Sequence, residues 1–315
     1  MDSPISEKNK QGITSGDTME HKKLIFALGF FDGVHRGHQV LLKHCVELAE
    51  QNGCEAAAIT FDRHPKSMYM KVPRLISTEK DRDFLLRHYG IKHVYCYPVN
   101  EKSMSLPWQS FLEELLKFDA AGFVCGDDFR FGYKGIGDGN RLKAFCEARN
   151  MPCFIVQEQA IDSIRVSSTY IRKQITEGDM ATAVKFMGHP YVLTGRVVPG
   201  RQLGRRLGIP TANIQFPAGI IVPKFGVYAC RVRVDDGIYA AVTNVGTRPT
   251  VNGKGITVEP WILDFSGDLY GKEITVEFHY FLRPEKKFYS LEELKAEIHR
   301  NEAQTRELLK ETPIF

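Results

Sequence analysis

The sequence predicts two domains of different class: an α/β domain built on a doubly wound parallel sheet, then an antiparallel β-barrel with a C-terminal helix. The chain has 315 residues, more than a single domain typically holds. In its first half, short apolar runs alternate with helical segments, which is the pattern of repeated β-α units. Near residues 186–190 this changes to short alternating strands with turn residues between them, which is typical of an antiparallel barrel or sandwich. We therefore expect domains at residues 21–186 and 187–315.

The composition excludes several classes of protein. Hydrophobic residues make up 43% and charged residues 25% of the chain, as in an ordinary soluble protein, and no apolar run approaches the roughly 20 residues of a membrane helix. Residues 1–20 are polar and lack the apolar core of a secretory signal, so we expect a disordered leader. The seven cysteines form no Cys-x-x-Cys pair, which favours reduced thiols in a cytoplasm over disulfides or zinc. A net charge of +4 is too small to indicate nucleic acid but fits anionic substrates.

Short apolar runs in the first half predict buried parallel strands, and the segments between them have helical periodicity. In a doubly wound sheet the ligand lies at the carboxyl ends of the strands, so the residues that follow strands are the candidates for chemistry. The strands are predicted at residues 24–28, 56–61, 93–97, 123–125 and 153–156, and the helices at 39–51, 78–89, 106–118 and 140–149.

Residues 29–38 follow the first predicted strand and read Gly-Phe-Phe-Asp-Gly-Val-His-Arg-Gly-His. A strand, a glycine-rich turn and a helix start together form the anion site of open α/β sheets. His35 and His38 are three residues apart and can face one point at the helix start. The segment therefore predicts a phosphate site whose donors are imidazoles and backbone N–H groups, in place of a lysine.

Three later segments carry weaker signals. Phe61 and His64 lie in Phe-Asp-Arg-His-Pro after the second strand, where the alternative is an X-Pro loop with a solvated histidine. Asp128 and Phe129 lie in Gly-Asp-Asp-Phe-Arg-Phe-Gly after a later strand, where the alternative is a turn with two carboxylates. In residues 165–172, Ser168 and Thr169 can cap a helix and take a phosphate, with Arg172 on the same face; the alternative is an ordinary capped helix with a surface arginine.

Residues 29–38 resemble the His-x-Gly-His signature of the nucleotidyltransferase superfamily, and their Phe-Asp-Gly-Val-His version resembles the prokaryotic bifunctional riboflavin kinase/FMN adenylyltransferases, or FAD synthetases. Residues 165–172 resemble the superfamily's Ile-Ser-Ser-Thr-x-Ile-Arg, with Val166 for Ile and Tyr170 where Arg is common. The resemblance implies a Rossmann-like fold. It also implies catalytic roles for His35, His38 and Arg172, ATP contacts from Gly29, Phe31, Asp32, Gly33, Gly37, Arg165, Ser168 and Thr169, and flavin contacts from Phe61, His64, Asp128 and Phe129.

The implied reaction of the first domain needs no general base. Its nucleophile is a phosphate oxygen of FMN, which is already ionised near neutral pH. The barrier is the charge that builds at the α-phosphate of ATP, so catalysis consists of positioning and electrostatic stabilisation. We expect His35, His38 and Arg172 to supply the donors, with Mg²⁺ shielding the pyrophosphate that leaves.

The second half predicts a hairpin over residues 227–234 and 238–245 with a turn at 235–237, and a second strand pair at 256–265 and 273–282. A final helix is expected to start at Ser290, in a capping box with Glu293. The helix should pack on the barrel through an apolar face of Leu291, Leu294, Ile298 and Leu308.

Residues 204–213 read Gly-Arg-Arg-Leu-Gly-Ile-Pro-Thr-Ala-Asn, and the alternative to a site is a loop with a basic pair facing water. The glycines open the backbone for phosphates, and the side chains of Thr211 and Asn213 supply hard oxygens that suit Mg²⁺. The segment resembles the signature of riboflavin kinases, and residues 244–250 match the same family. The resemblance implies ATP contacts from Gly204, Gly208 and Pro210, metal ligation by Thr211 and Asn213, and a flavin contact from Arg248.

Glu259 is the expected catalytic base of the second domain. Riboflavin presents a neutral alcohol, which is a poor nucleophile until a carboxylate removes its proton. A lone strand glutamate is more often a surface residue, but Glu259 matches the family's catalytic glutamate in its position before residues 261–265. Pro260 and Trp261 depart from the family pattern, and Pro260 implies an edge strand or a bulge.

The resemblance implies ATP-dependent phosphorylation of riboflavin to FMN, then adenylylation of FMN to FAD. The expected partners are small molecules (riboflavin, FMN and ATP with Mg²⁺), without nucleic acid or membrane, and self-association stays open. Two alternatives remain: an adenylyl or cytidylyl transferase with another acceptor, and a flavin-binding regulator or single-activity enzyme in which one module is degenerate.

Overall fold

A computed structural model of the chain describes residues 22–200, 208–250 and 253–315. These residues form two compact units. The first comprises the described residues of Met1–Pro73 with Arg82–Val166, and the second comprises those of Arg74–Asp81 with Ser167–Phe315. Residues 167–186, which precede the boundary expected from the sequence, thus group with the second unit.

The first unit is built on a parallel sheet, as the alternating pattern predicts. Its strands are β1 (Leu24–Leu28), β2 (Glu55–Phe61), β3 (His93–Tyr97), β4 (Ala120–Gly126) and β5 (Cys153–Val156). They are ordered β3-β2-β1-β4-β5, and every pair is parallel. The chain runs outward from β1 to β3 on one side and resumes with β4 on the other. A switch point therefore lies between β1 and β4, and ligands of open α/β sheets bind at such a point.

Helices accompany this sheet: α1 (Arg36–Gln51), α2 (Glu79–His88), α3 (Glu101–Met104), α4 (Trp108–Leu116) and α5 (Gly139–Glu147). The first helix begins three residues before the predicted start at Gln39, because His35 caps it. Its apolar face packs on the sheet, where Cys45 Sγ donates to the carbonyl of Ile25 at 3.2 Å. A short antiparallel pair that the sequence did not predict, β6 (Ala160–Ile161) with β7 (Ile164–Arg165), follows the sheet.

The second unit contains a nearly closed antiparallel barrel, which confirms the predicted architecture. Its strands are β8 (Tyr191–Arg196), β9 (Ile214–Gln215), β10 (Gly226–Val234), β11 (Gly237–Thr250), β12 (Gly253–Ile262) and β13 (Glu273–Arg283), in the order β8-β13-β10-β11-β12-β9. A bridge between Val197 and Ile214 brings the end of β8 to β9 and nearly closes the wall. Helices α6 (Ser168–Glu177) and α7 (Met180–Met187) precede the barrel, and α8 (Leu291–Lys310) follows it.

Pro260 creates no bulge, so of the two alternatives that the sequence implied, the structure supports an edge position. The pairing of β11 with β12 keeps a continuous register, with Pro260 opposite Thr243. On the other side, the carbonyl of Pro260 accepts a hydrogen bond from the N–H of Ala212 at 2.9 Å. β9 contains only Ile214 and Gln215, so no regular strand among the described residues lies on this side of Pro260 to accept a backbone hydrogen bond from it.

The start of α8 agrees with the sequence, and its buried face agrees in part. Ser290 accepts the N–H of Glu293 at 3.0 Å, as the capping box predicts. Leu291, placed on the packing face by the sequence, is 57% exposed. The fully buried residues of this helix are Asn301, Thr305 and Leu309, and three of the predicted residues are half-buried along the same stripe: Leu294, Ile298 and Leu308. The helix therefore packs through a partly polar face, which hydrophobic periodicity alone misses.

Candidate active sites

The two histidines of the first motif lie together at the start of α1, beside the switch point. Their rings stack with centroids 3.6 Å apart and 10° between the planes, and His35 Nδ1 accepts the N–H of His38 at 3.3 Å. Burial, and then the neighbouring His35, hold the pKa of His38 well below its usual value. His38 is therefore a neutral imidazole near pH 7. Its Nδ1 is buried and has no hydrogen-bond partner among the described residues.

The turn before these histidines is shaped around a buried ring. Phe31 is fully buried and has a positive φ of 57°. Its ring meets the ring of His38 edge-on at 5.3 Å. A Cβ at Gly29 would lie 2.9 Å from the ring of Phe31, so only glycine allows this approach. The buried ring of Phe31 therefore supports the ring of His38. Three more residues assigned to ATP from the sequence lie in this segment: Asp32, Gly33 and Gly37.

A group of aromatic and cationic side chains adjoins the same strand ends. The ring of Phe30 meets His64 edge-on at 5.1 Å, and the guanidinium of Arg82 lies 4.7 Å from the Phe30 centroid. Arg82 also donates to the carbonyl of Phe61 at 2.7 Å, and Thr60 Oγ1 donates to the carbonyl of Phe30 at 2.9 Å. The sequence marked Phe61 and His64 but missed Phe30 and Arg82. Nothing in a helical pattern distinguishes a buried arginine from an exposed one.

The predicted flavin residue Asp128 and the predicted phosphate ligand Arg165 are paired with each other. Arg165 Nη2 lies 2.7 Å from Asp128 Oδ2 and 2.6 Å from Glu158 Oε1. Phe129 stacks on Phe131 with ring centroids 5.7 Å apart. If Arg165 binds ATP, the phosphate oxygens must replace the carboxylates of Asp128 and Glu158 as its partners. The sequence spacing of these residues does not reveal this competition.

The Ser-Ser-Thr segment forms the start of α6, with a different cap from the one expected. Ser167 is the N-cap, and its side chain accepts the N–H of Tyr170 at 3.3 Å. Ser168 and Thr169 are the first two residues of the helix, so the expectation that they cap it was wrong. Arg172, in the next turn, is half-buried. Because α6 belongs to the second unit, its meeting with the two histidines stays a prediction.

The register of the barrel aligns Glu259 with two asparagines. Glu259 lies opposite Asn244 on β11. On its other side Val258 lies opposite Ile214, which places Asn213 beside Glu259 at the next position. Directly opposed residues of antiparallel strands point to the same face, so the three polar side chains share one face of the wall. Glu259 is half-buried and Asn213 is 9% exposed. The sequence missed Asn244, because only the cross-strand register reveals it.

Thr211 and Asn213 border separate cavities of the second unit. Asn213 borders one of about 460 Å³, which also includes Thr257 and Arg74. Thr211 borders one of about 360 Å³, whose other wall is the segment after β12; the lining residues are Val197, Pro210, Thr211, Ala212, Ile262 and 265–270. Gly208 and Pro210, which are both exposed, precede Thr211. Gly204 lies outside the described residues, as does the side chain of Arg248.

Comparison with known proteins assigns both halves of the chain. A family model described as FAD synthetase matches residues 17–170, and one described as riboflavin kinase matches residues 187–309. A bifunctional riboflavin kinase/FMN adenylyltransferase of Listeria monocytogenes is 34% identical over 299 residues, which cover 93% of this chain and 95% of that protein. The chain belongs to the bifunctional riboflavin kinase/FMN adenylyltransferase family. The family member of Pseudomonas fluorescens is 36% identical, over 92% of this chain and 94% of the relative.

The fold is shared with a solved structure. A crystal structure from Streptococcus pneumoniae, described as a macrolide-efflux protein, matches with a TM-score of 0.81 and 28% identity, over 92% of this chain and 96% of that one. Among the helices that the structure describes here, none is long and apolar enough to cross a membrane. The motif resemblance to riboflavin kinase/FMN adenylyltransferases is thus confirmed by relatives that match the chain over nearly its whole length.

Proposed function

We propose that this chain makes FAD from riboflavin in two ATP-dependent steps, one in each module. The observation that carries the proposal is the presence of both modules in one chain, with FAD synthetase matched at residues 17–170 and riboflavin kinase at 187–309. The second module phosphorylates riboflavin to FMN. The first module adenylylates FMN to FAD and releases pyrophosphate.

In the kinase step, the terminal hydroxyl oxygen of the riboflavin side chain attacks the γ-phosphorus of ATP, and ADP leaves. Glu259 accepts the hydroxyl proton as the new bond forms. Its half-buried position on β12 suits this role, since one oxygen can reach a substrate while the side chain is held by the barrel wall. Asn213 and Asn244, on the same face, are placed to orient the reacting groups by hydrogen bonds.

Thr211 and Asn213 fit the magnesium ion that accompanies ATP. Their side chains offer a hydroxyl and an amide oxygen, which are hard ligands of the kind Mg²⁺ prefers. Asn213 is held closely, since a Cβ at Gly200 would lie 2.3 Å from its Nδ2. An ion held by these two side chains would neutralise part of the phosphate charge, so the module would need no lysine for that purpose.

In the adenylyl step, an ionised phosphate oxygen of FMN attacks the α-phosphorus of ATP. His38 is neutral, because burial lowers its pKa, and it donates a hydrogen bond to the phosphate oxygens as their charge grows. His35 donates beside it, and Arg172 contributes a positive charge from the start of α6. Phe30, with His64 edge-on and Arg82 over its ring, offers an aromatic wall for the flavin ring.

The proposed partners are the small molecules riboflavin, FMN and ATP. All seven cysteines are free thiols, which supports a reducing compartment such as the cytoplasm.

The test is to incubate the purified chain with riboflavin, ATP and Mg²⁺ and to separate riboflavin, FMN and FAD by chromatography. We expect FMN to rise first and FAD to follow. His38→Ala should leave FMN formation intact and block its conversion to FAD. Flavin binding without turnover would contradict the proposal and favour a flavin-binding regulator instead.

A further inference from the structure

One wall of the cavity that Thr211 borders is formed by the loop between β12 and β13, residues 263–272. The loop contributes residues 265–270 to the cavity of about 360 Å³, opposite Thr211 and Ala212. Any movement of this loop therefore changes the shape of the space next to a proposed metal ligand of the kinase module.

The loop is fastened at its two ends by backbone hydrogen bonds. The N–H of Leu263 donates to Ala240 at 2.8 Å, and the N–H of Gly271 donates to Val197 at 3.0 Å. Near its start, Asp264 adopts a positive φ of 58°, so the backbone leaves the regular strand conformation at this residue.

The carboxylate of Asp264 is clamped by an arginine of the C-terminal helix. Arg306 Nη1 lies 2.6 Å from Oδ2 and Nη2 lies 3.0 Å from Oδ1, which is a two-point fork. The guanidinium is itself held by Glu302, one turn earlier in α8, at 3.1 Å from Nε and 2.9 Å from Nη2. Arg306 is therefore fixed in orientation before it meets the loop.

This ion pair is poorly placed to stabilise the fold. The side chain of Arg306 is 40% exposed and that of Asp264 is 73% exposed. Exposed pairs contribute little to the free energy of unfolding, because water screens them. A fully engaged fork on a loop that lines a cavity is better explained by a role in placing the loop.

A second contact joins the same helix to the same strand. The ring of Trp261, two residues after Glu259, meets the ring of His299 edge-on at 6.2 Å. The segment from Glu259 to Asp264 is thus in contact with α8 at two points, one on each side of the strand end.

We propose that Arg306 is a positioning residue of the kinase reaction, which acts through Asp264 to hold the 263–272 loop against the cavity that binds the ATP phosphates and their metal. The inference rests on the proposed function of this module. It assigns to α8 a part in setting the affinity for ATP in addition to its packing on the barrel.

The test compares Arg306→Ala with wild type in both reactions of the same chain. We expect the KM for ATP in FMN formation to rise about threefold to fivefold with a smaller change in kcat, because an exposed pair is worth up to about 1 kcal/mol and a displaced wall weakens ground-state binding. The rate of FMN adenylylation should not change. Arg306→Lys keeps the charge but not the fork, and it should restore little of the affinity.

The matched control is Arg300→Ala, since Arg300 pairs only within α8, with Glu297, in the described contacts. It should leave both KM values unchanged. In a double-mutant cycle, Asp264→Ala combined with Arg306→Ala should raise the KM no further than either change alone. Hydrogen exchange should become faster at residues 263–270 in Arg306→Ala and not in Arg300→Ala.

The outcomes separate this inference from the proposed function. A wild-type chain that forms no FMN would refute both. A wild-type chain that forms FMN, with Arg306→Ala unchanged in KM and in exchange of the loop, would refute the inference alone. A fully additive cycle would show that the two side chains act independently and would overturn it as well.

Discussion

Replacing Glu259 with glutamine is expected to stop riboflavin phosphorylation while FMN adenylylation continues. Glutamine has nearly the same shape as glutamate, so the half-buried position on β12 keeps its packing and its neighbours Asn213 and Asn244. What the variant loses is the ability to accept a proton. The change therefore removes one chemical function from a site that otherwise stays in place.

The magnitude follows from the role. A general base contributes about 10²- to 10⁴-fold to a rate. The same factor corresponds to about 3 to 5 kcal/mol of barrier. Because the side chain touches the reacting hydroxyl in the transition state, we expect the loss in kcat, with a small change in the KM for riboflavin. Stopped reactions separated by chromatography measure FMN formation, and a second assay started from FMN measures FAD formation in the same preparation.

The control is Glu273→Gln, which changes an exposed glutamate at the start of β13, paired with Lys80. It should leave FMN formation unchanged. A Glu259→Gln variant that phosphorylates riboflavin at more than about a tenth of the wild-type rate would refute the role of Glu259 as base. Loss of both activities would indicate misfolding, which thermal unfolding of the same sample would reveal.

Three further predictions concern the first unit. The pKa of His38 in the folded chain lies below its unfolded value of 6.5, so the unfolded chain takes up the proton first as the pH falls. As the pH falls below about 6.5, the free energy of unfolding should therefore decrease by up to about 1.4 kcal/mol per pH unit. The His38→Gln variant should lack this decrease. If the free energy of unfolding varied with pH in the same way in both proteins, the prediction would be contradicted. Gly29→Ala should lower the rate of FAD formation and leave FMN formation intact, because the added Cβ displaces the Phe31 ring that contacts His38. An unchanged rate of FAD formation would show that the Phe31 ring moves without cost. Arg82→Met should cost about 1.5 to 3 kcal/mol of stability, because the carbonyl of Phe61 loses a charged donor. It should also raise the KM for FMN; an unchanged KM would argue against flavin stacking on Phe30.

The sequence predicted the two architectures because each depends on local pattern. The run of apolar segments before residue 157 indicates parallel strands, and the short alternating segments after residue 190 indicate a barrel, without knowledge of distant contacts. The His35 and His38 pair was accessible for the same reason, since both residues belong to one turn of one helix.

The details that the sequence missed depend on residues far apart in the chain. Arg165 pairs with Asp128, and Arg82 lies over Phe30, at separations that no periodicity encodes. The alignment of Asn244, Glu259 and Asn213 requires the register of three strands. The packing face of α8 was predicted only in part, because its buried stripe contains Asn301 and Thr305, which hydrophobic periodicity counts as exposed.

The unbroken pairing of β11 with β12 also limits how this gene can change in length. Side chains of a strand alternate between faces, so gain or loss of one residue between positions 255 and 259 would turn Glu259 toward the interior and Val258 outward. Evolution can exchange residues along this strand but can add or remove them only in pairs, or beyond its ends. We therefore expect insertions among relatives to fall outside residues 255–262, even where sequence identity within that stretch is low.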